Sequence, residues 1–360
     1  MSESLDFDSL QEISVAYATA SAGMHPSHSL PAKLSAISQA GFKWTEIAFP
    51  DLESFISSRK TKYRKIDSNG EGDIDELLKA TEEISNLCQR LELRVLTLMP
   101  FSRFEGYSND YVMNHGLKRA ETWFKVMKAL KCTMLQLGSS DDPYISHDFD
   151  LMVINLQTLA DAAAKQRPPI SIAYEMWAWG TYVNTWEHTW TICSHVSRPN
   201  FGLCLDTFQI SAPYLTKTLS IESTNSSTAP PSSLEDSLHH LTETLKSHTD
   251  KIFYLQISDG RFVSKEILIH QANEQQIQPL YAYSNAYRPL PFQTRILGSE
   301  FGLVPVMKIL RAVLATGWRG PWSYEVFFAE DQNRDDPDIP SRWANDAMNA
   351  HTRIIAEISE

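Results

Sequence analysis

The sequence predicts an α/β protein folded as one (β/α)8 TIM barrel spanning residues 1–360. Three observations predict it: short apolar runs rich in β-forming residues alternate with longer segments of helical period, there are eight such runs, and no Gly-x-Gly-x-x-Gly follows the first. An open doubly wound sheet is the other arrangement of this alternation, and the missing glycine fingerprint weighs against it.

The eight predicted strands are residues 13–19, 45–49, 94–99, 134–137, 171–176, 202–207, 252–257 and 322–327. Predicted helices cover 30–40, 73–91, 111–130, 149–165, 185–196, 234–246, 303–315 and 341–358. The helix over 73–91 has the clearest pattern, with Ile74, Leu77, Leu78, Ile84, Leu87, Cys88 and Leu91 on one face and Asp73 with Glu76 spaced as a capping box. Gly41 and Gly317 end the helices before them. Two stretches exceed the repeating unit. Residues 220–233 (SIESTNSSTAPPSS) read as a flexible Ser/Thr/Pro-rich insertion, and residues 260–302 as a long loop on the rim where a barrel carries its active site.

Composition narrows the function. Asp and Glu number 44 against 32 Lys and Arg, a net charge of −12, which argues against an obligate binder of nucleic-acid phosphates. With 42% hydrophobic residues the chain can bury a large core. No apolar run approaches the roughly 18 residues of a membrane span, and residues 1–10 are acidic and polar where a secretory signal is basic and then apolar. The expectation is a cytoplasmic protein acting on a small molecule, with neither nucleic acid nor membrane as partner. Cys88, Cys132, Cys193 and Cys204 lack Cys-x-x-Cys spacing and read as buried thiols.

Polar residues end otherwise apolar strands: Glu175 in SIAYEMWAWG, Asp206 in FGLCLDTFQI, Gln256 in IFYLQISDG and Glu325 in PWSYEVFF. Burying a carboxylate beside such runs is costly unless it is paired or bound to a metal. Strands five to eight of a barrel would aim these four side chains at one point. An all-oxygen donor set suits Mg²⁺ or Mn²⁺, with Co²⁺ also accepted, better than zinc. The competing expectation is that each acid caps a helix or pairs with an arginine.

Residues 174–207, YEMWAWGTYVNTWEHTWTICSHVSRPNFGLCLDT, resemble the metal-binding core of 3-dehydroshikimate dehydratases, members of the xylose isomerase-like barrel superfamily, and in particular their fungal catabolic branch. The similarity extends through GMHPSHSLPAKLSAISQAGFKWTEIAF, LTLMPFSRFEGY, IFYLQISDG and FQTRILGSEFGLVPV, covering about residues 13–328. It implies metal-dependent dehydration of 3-dehydroshikimate to protocatechuate, with the cation held by Glu175, Asp206, Gln256 and Glu325 and stabilising an enolate. Bacterial members carry a His three residues after the aspartate ligand, where this chain has Gln209, which is no base at neutral pH; fungal members often carry an amide there too.

His28 matches a His in the fungal Gly-His-Ser-Leu pattern and is the candidate base, its alternative being a cap on the following helix. Arg295 matches a family arginine expected to meet the substrate, and Arg103 is a second candidate for the carboxylate or hydroxyls; either could simply be solvated. Glu46 could reach the site or order another residue. Trp177 and Trp179 are expected to wall the pocket, and Trp186 and Trp190 to pack in the core.

Three other readings share the fold. Isomerisation or epimerisation of a sugar or cyclitol uses the same enolisation, and Arg103 and Arg295 both lining the pocket would favour an acid over a neutral sugar. A metal-dependent nuclease would need a basic groove and a His-rich zinc site, which the sequence lacks. A barrel that binds its ligand without turnover is the third, kept open by Gln209.

Overall fold

A computed structural model of the protein describes residues 10–221 and 233–359. The eight predicted strands are all present: β1 (Val15–Ala18), β2 (Trp44–Ala48), β3 (Arg94–Phe101), β4 (Met134–Gly138), β5 (Ser171–Glu175), β6 (Phe201–Asp206), β7 (Ile252–Ile257) and β8 (Trp322–Tyr324). Each pairs in parallel with its neighbours in chain order, and β8 pairs with β1, closing the barrel.

The core has two compartments. Ala16, Leu96, Ala173, Cys204 and Tyr254 form a small cluster of their own, with Trp44, Met134 and Phe253 packed against it. The larger cluster joins the other strand faces to the helices, such as Leu77, Ile84 and Cys88 of Ile74–Arg90. The interior is therefore filled with side chains, as in other barrels of this kind, and leaves only its mouths for ligands.

Three local expectations are corrected. Asp73 and Glu76 form no capping box, because the Asp73 carboxylate accepts the backbone N–H of Arg64 (2.8 Å) and the Glu76 carboxylate pairs with Lys60 and Lys79. Residues 260–302 are not an irregular loop but contain helices Lys265–Gln275, Pro279–Ala286 and Thr294–Leu297. Ser264 caps the first and proline opens the second, whose fixed φ suits a first helical turn. Finally, β6 runs straight into a helix, Thr207–Thr218, which precedes residues 220–233 and is not among the predicted helices. Apart from its ends, that insertion (220–233) lies outside the described residues.

Candidate active site

Side chains alternate along a strand with a period of two. Ala173, Cys204 and Tyr254 share the small interior cluster, so the residues two positions on, Glu175, Asp206 and Gln256, face the same way near the C-terminal mouth. Glu325 directly follows β8. Ligand oxygens of Glu175, Asp206 and Glu325 all lie within 4.8 Å of one another, and all three residues are buried.

Each carboxylate is held differently. Asp206 Oδ1 accepts the backbone N–H groups of Phe208 (2.6 Å) and Gln209 (3.1 Å), capping the helix Thr207–Thr218. Its Oδ2 accepts from Arg288 Nη2 at 2.5 Å, and the same nitrogen lies 3.2 Å from Glu325 Oε2. The competing expectation, a cap and an arginine partner, is thus met by Asp206 inside the cluster itself. Glu175 Oε2 accepts from Trp177 Nε1 (3.1 Å) and from Gln136 Nε2, while its Oε1 is buried without a partner.

Arg288 is locked in place. Its Nε donates to Ser258 Oγ (3.0 Å), its Nη1 donates to Ser284 Oγ (3.1 Å), and its guanidinium lies 4.8 Å and 5.6 Å from the Phe208 and Phe327 ring centroids. Burial raises the proton affinity of all three carboxyls, carrying Glu325 to about 8, and like-charged neighbours push Glu175 further up while Arg288 pulls each of them down.

This donor set fits a divalent cation. With all three carboxyls ionised, one guanidinium would leave two negative charges in a buried space for a cation to balance, and Glu175 Oε1 is buried without a partner. Oxygen ligands of this kind are the preference of hard ions such as Mg²⁺ and Mn²⁺.

The cluster opens into a cavity of about 280 Å³ whose walls include Glu175, Glu325, Arg288, Gln136, Trp179 and Lys33. An apolar cavity of ~150 Å³ already admits benzene, so a six-membered ring bearing several oxygens fits. Trp179 stacks between Trp177 (5.3 Å) and Tyr281 (4.7 Å), giving a flat aromatic wall. Trp177 reaches Glu175 only because residue 138 is glycine, where an added Cβ would stand 2.1 Å from the indole.

The other sequence candidates are placed as follows. Gln256 shares a register with Asp206, but its Nε2 donates to Glu46 (3.2 Å) and its Oε1 accepts from Cys204 Sγ (3.4 Å). Glu46 sits in the barrel interior, satisfied by Thr97, Tyr254, Gln256 and Ser323, and so orders Gln256 and not the cavity. Gln209 lines the cavity, where its Oε1 accepts the Ala178 N–H (2.9 Å) and ties down the loop after β5.

His28 Nε2 donates to the Asp336 carbonyl oxygen (2.9 Å), which fixes the tautomer with the proton on Nε2. Its Nδ1 is buried without a partner against Gly23, a cavity-lining residue, and burial lowers the pKa of the ring. The candidate arginines stand apart from this cavity's lining: Arg295 pairs with Asp331 (3.1 Å) and Asp346 (3.2 Å), and Arg103 with Asp141 (2.7 Å). Both are more than two-fifths exposed, which explains how ion pairs on the surface satisfy them. Trp186 is buried and donates to Ser237 Oγ (2.7 Å), and Trp190 packs beside His248.

Sequence reasoning missed Arg288, Gln136 and the pair Lys33–Asp51, all on the cavity wall. Arg288 left no pattern to read, whereas Gln136, a polar residue in the apolar run of β4, carries the same signal as Gln256 in β7. Lys33 carries a signal too: it falls three residues after Leu30 and four before Ile37, on the buried face of Leu30–Gln39.

Fold and site together define an α/β barrel with an acidic, ring-sized C-terminal mouth. The family model described as xylose isomerase-like TIM barrel matches residues 34–347, and the chain belongs to that family. A curated 3-dehydroshikimate dehydratase of Neurospora crassa is 28% identical over 92% of this chain and 90% of its own length, which bears out the resemblance seen in the sequence. Another, from Pseudomonas putida, is 27% identical over 84% of this chain, which spans only 36% of that relative. Among solved structures, a xylose isomerase-like TIM barrel/4-hydroxyphenylpyruvate dioxygenase fusion protein aligns with a TM-score of 0.66 at 24% identity, over 94% of this chain and 42% of the other. No helix among the described residues is long and apolar enough to cross a membrane.

Proposed function

We propose that this chain is a divalent-metal-dependent hydro-lyase that converts 3-dehydroshikimate to protocatechuate. The observation that carries the reading is the convergence of Glu175, Asp206 and Glu325 in a cavity sized for a substituted ring. The N. crassa relative, matched over nearly its whole length, supplies the substrate.

Glu175, Asp206 and Glu325 would hold the cation, with Gln256 as a neutral fourth donor. The bound cation would supply Lewis-acid stabilisation of the negative charge that develops beside the ring ketone. The chain's own residues do the rest. Gln136 and Trp177 fix Glu175, while Arg288 fixes Asp206 and Glu325. Trp177, Trp179 and Tyr281 present a flat face to the ring and exclude water. With its partnerless Nδ1 behind Gly23 and outside the cavity lining, His28 would accept the proton lost next to the ketone through an intervening water. The proton returns from His28 to the departing ring hydroxyl, which leaves as water, and transfer of a further ring proton to the ketone oxygen gives the aromatic acid.

A second reading, isomerisation of a neutral sugar or cyclitol, is favoured by one observation: neither Arg103 nor Arg295 lines the cavity. Metal-stripped protein mixed with 3-dehydroshikimate separates the two. Adding Mg²⁺ or Mn²⁺ is expected to produce the ultraviolet absorbance of protocatechuate, and stoichiometric metal binding without that product rejects the dehydratase.

A further inference from the structure

An acidic substrate needs a cation within the cavity, and the guanidinium there, Arg288, is engaged by Asp206 and Glu325. Lys33 also lines the wall. Its side chain is only 5% exposed, and its Nζ lies 2.8 Å from Asp51 Oδ1, while Asp51 Oδ2 is buried without a partner.

The placement of Lys33 is unfavourable for the fold alone. It occupies an apolar-face position in the first turn of Leu30–Gln39, where the helix dipole repels a positive charge and where a leucine would pack without desolvating an ion pair. An ammonium group has three donors, and Asp51 takes one. We infer that Lys33 binds the carboxylate of the substrate and that Asp51 is the positioning residue that holds its ammonium toward the cavity. The metal cluster and the lysine then grip opposite functions of one ring, ketone and carboxylate. This rests on the dehydratase reading and supplies the cation which that reading otherwise lacks.

Protocatechuate and catechol differ only by the carboxylate, so their binding isolates its contribution. Titrations of Mn²⁺-loaded wild type, Lys33→Met and Lys33→Arg, followed by calorimetry, are expected to show a loss of about 10- to 100-fold for protocatechuate in Lys33→Met, the range of a charge-assisted hydrogen bond. Catechol affinity stays within about twofold, which also certifies the fold, and Lys33→Arg recovers part of the loss. Equal weakening of both ligands, or of neither, overturns the assignment. Wild type that forms no protocatechuate yet keeps a Lys33-dependent preference for the acid rejects the dehydratase reading and leaves Lys33 as a carboxylate site. Turnover with no such preference does the reverse.

Discussion

The two mouths of the barrel differ in a way that inverts their sizes. The N-terminal mouth holds the larger cavity, about 730 Å³, walled by strand starts such as Trp44, Arg94, Met134 and Phe253 together with Trp318, and no Asp, Glu or His lines it. The C-terminal mouth encloses about 280 Å³, yet its wall includes Glu175, Glu325, Arg288, Lys33 and Asp51, and four of its polar atoms, Glu175 Oε1, Gln136 Oε1, Trp179 Nε1 and Asp51 Oδ2, are buried without partners. Empty volume costs only lost dispersion contacts, whereas a buried polar atom left unpaired carries a desolvation penalty of about 1–3 kcal/mol. A bound ligand that supplied partners to these four atoms would offset that penalty.

The sharpest way to break this comparison is substitution at each mouth. Glu325→Ala is expected to lower kcat by at least about 10³-fold, comparable to loss of a principal electrostatic stabiliser, while Thr133→Val beside the larger cavity leaves it within about twofold; equal losses at both ends would refute the asymmetry. Next comes Arg288→Met. It leaves the acidic cluster without its counter-charge, so the metal-free protein should lose about 3–5 kcal/mol in chemical denaturation, and Mn²⁺ should restore more stability to the variant than to wild type.

The proton affinities give a third test. The Glu325 carboxyl, ordinarily near 4.5, is pushed up to about 8 by burial, so at neutral pH the metal-free site holds a proton that a cation must displace. Metal affinity should rise roughly tenfold per pH unit toward 8 for each proton released, and calorimetry in buffers of different ionisation enthalpy counts those protons. The sign for stability follows from the same shift: the folded metal-free protein binds more protons than the unfolded chain between about pH 4.5 and 8, so its stability falls as pH rises through that window. Saturating metal should flatten the slope. The smallest effect is expected from Gly138→Ala, whose new methyl would displace the Trp177 indole from Glu175; about 1–3 kcal/mol of stability is at stake, read as a drop in melting temperature with a modest fall in kcat/KM.

Much of the molecule was legible before its structure. All eight strands show as apolar β-forming runs, and Glu175, Asp206 and Glu325 stand out because a carboxylate at the end of such a run is expensive. The misreadings share a physical cause. Residues 260–302 fold into helices whose apolar face is short, so periodicity was weak and Arg288, which follows one of them, looked like any loop arginine. Arg295 was drawn toward the site by its motif, but its position beside Asp331 and Asp346 is set by tertiary packing that no local pattern encodes. Lys33 was a readable exception, a charge in the register of Leu30, Leu34 and Ile37.

The most direct measurement is a Mn²⁺ titration of the metal-stripped protein followed by electron paramagnetic resonance, with Glu325→Ala alongside. The account predicts one tightly held ion per chain in wild type, lost or at least about tenfold weaker in the variant. Mn²⁺ that fails to bind wild type, or binds the variant equally well, would contradict a metal centre at the C-terminal mouth.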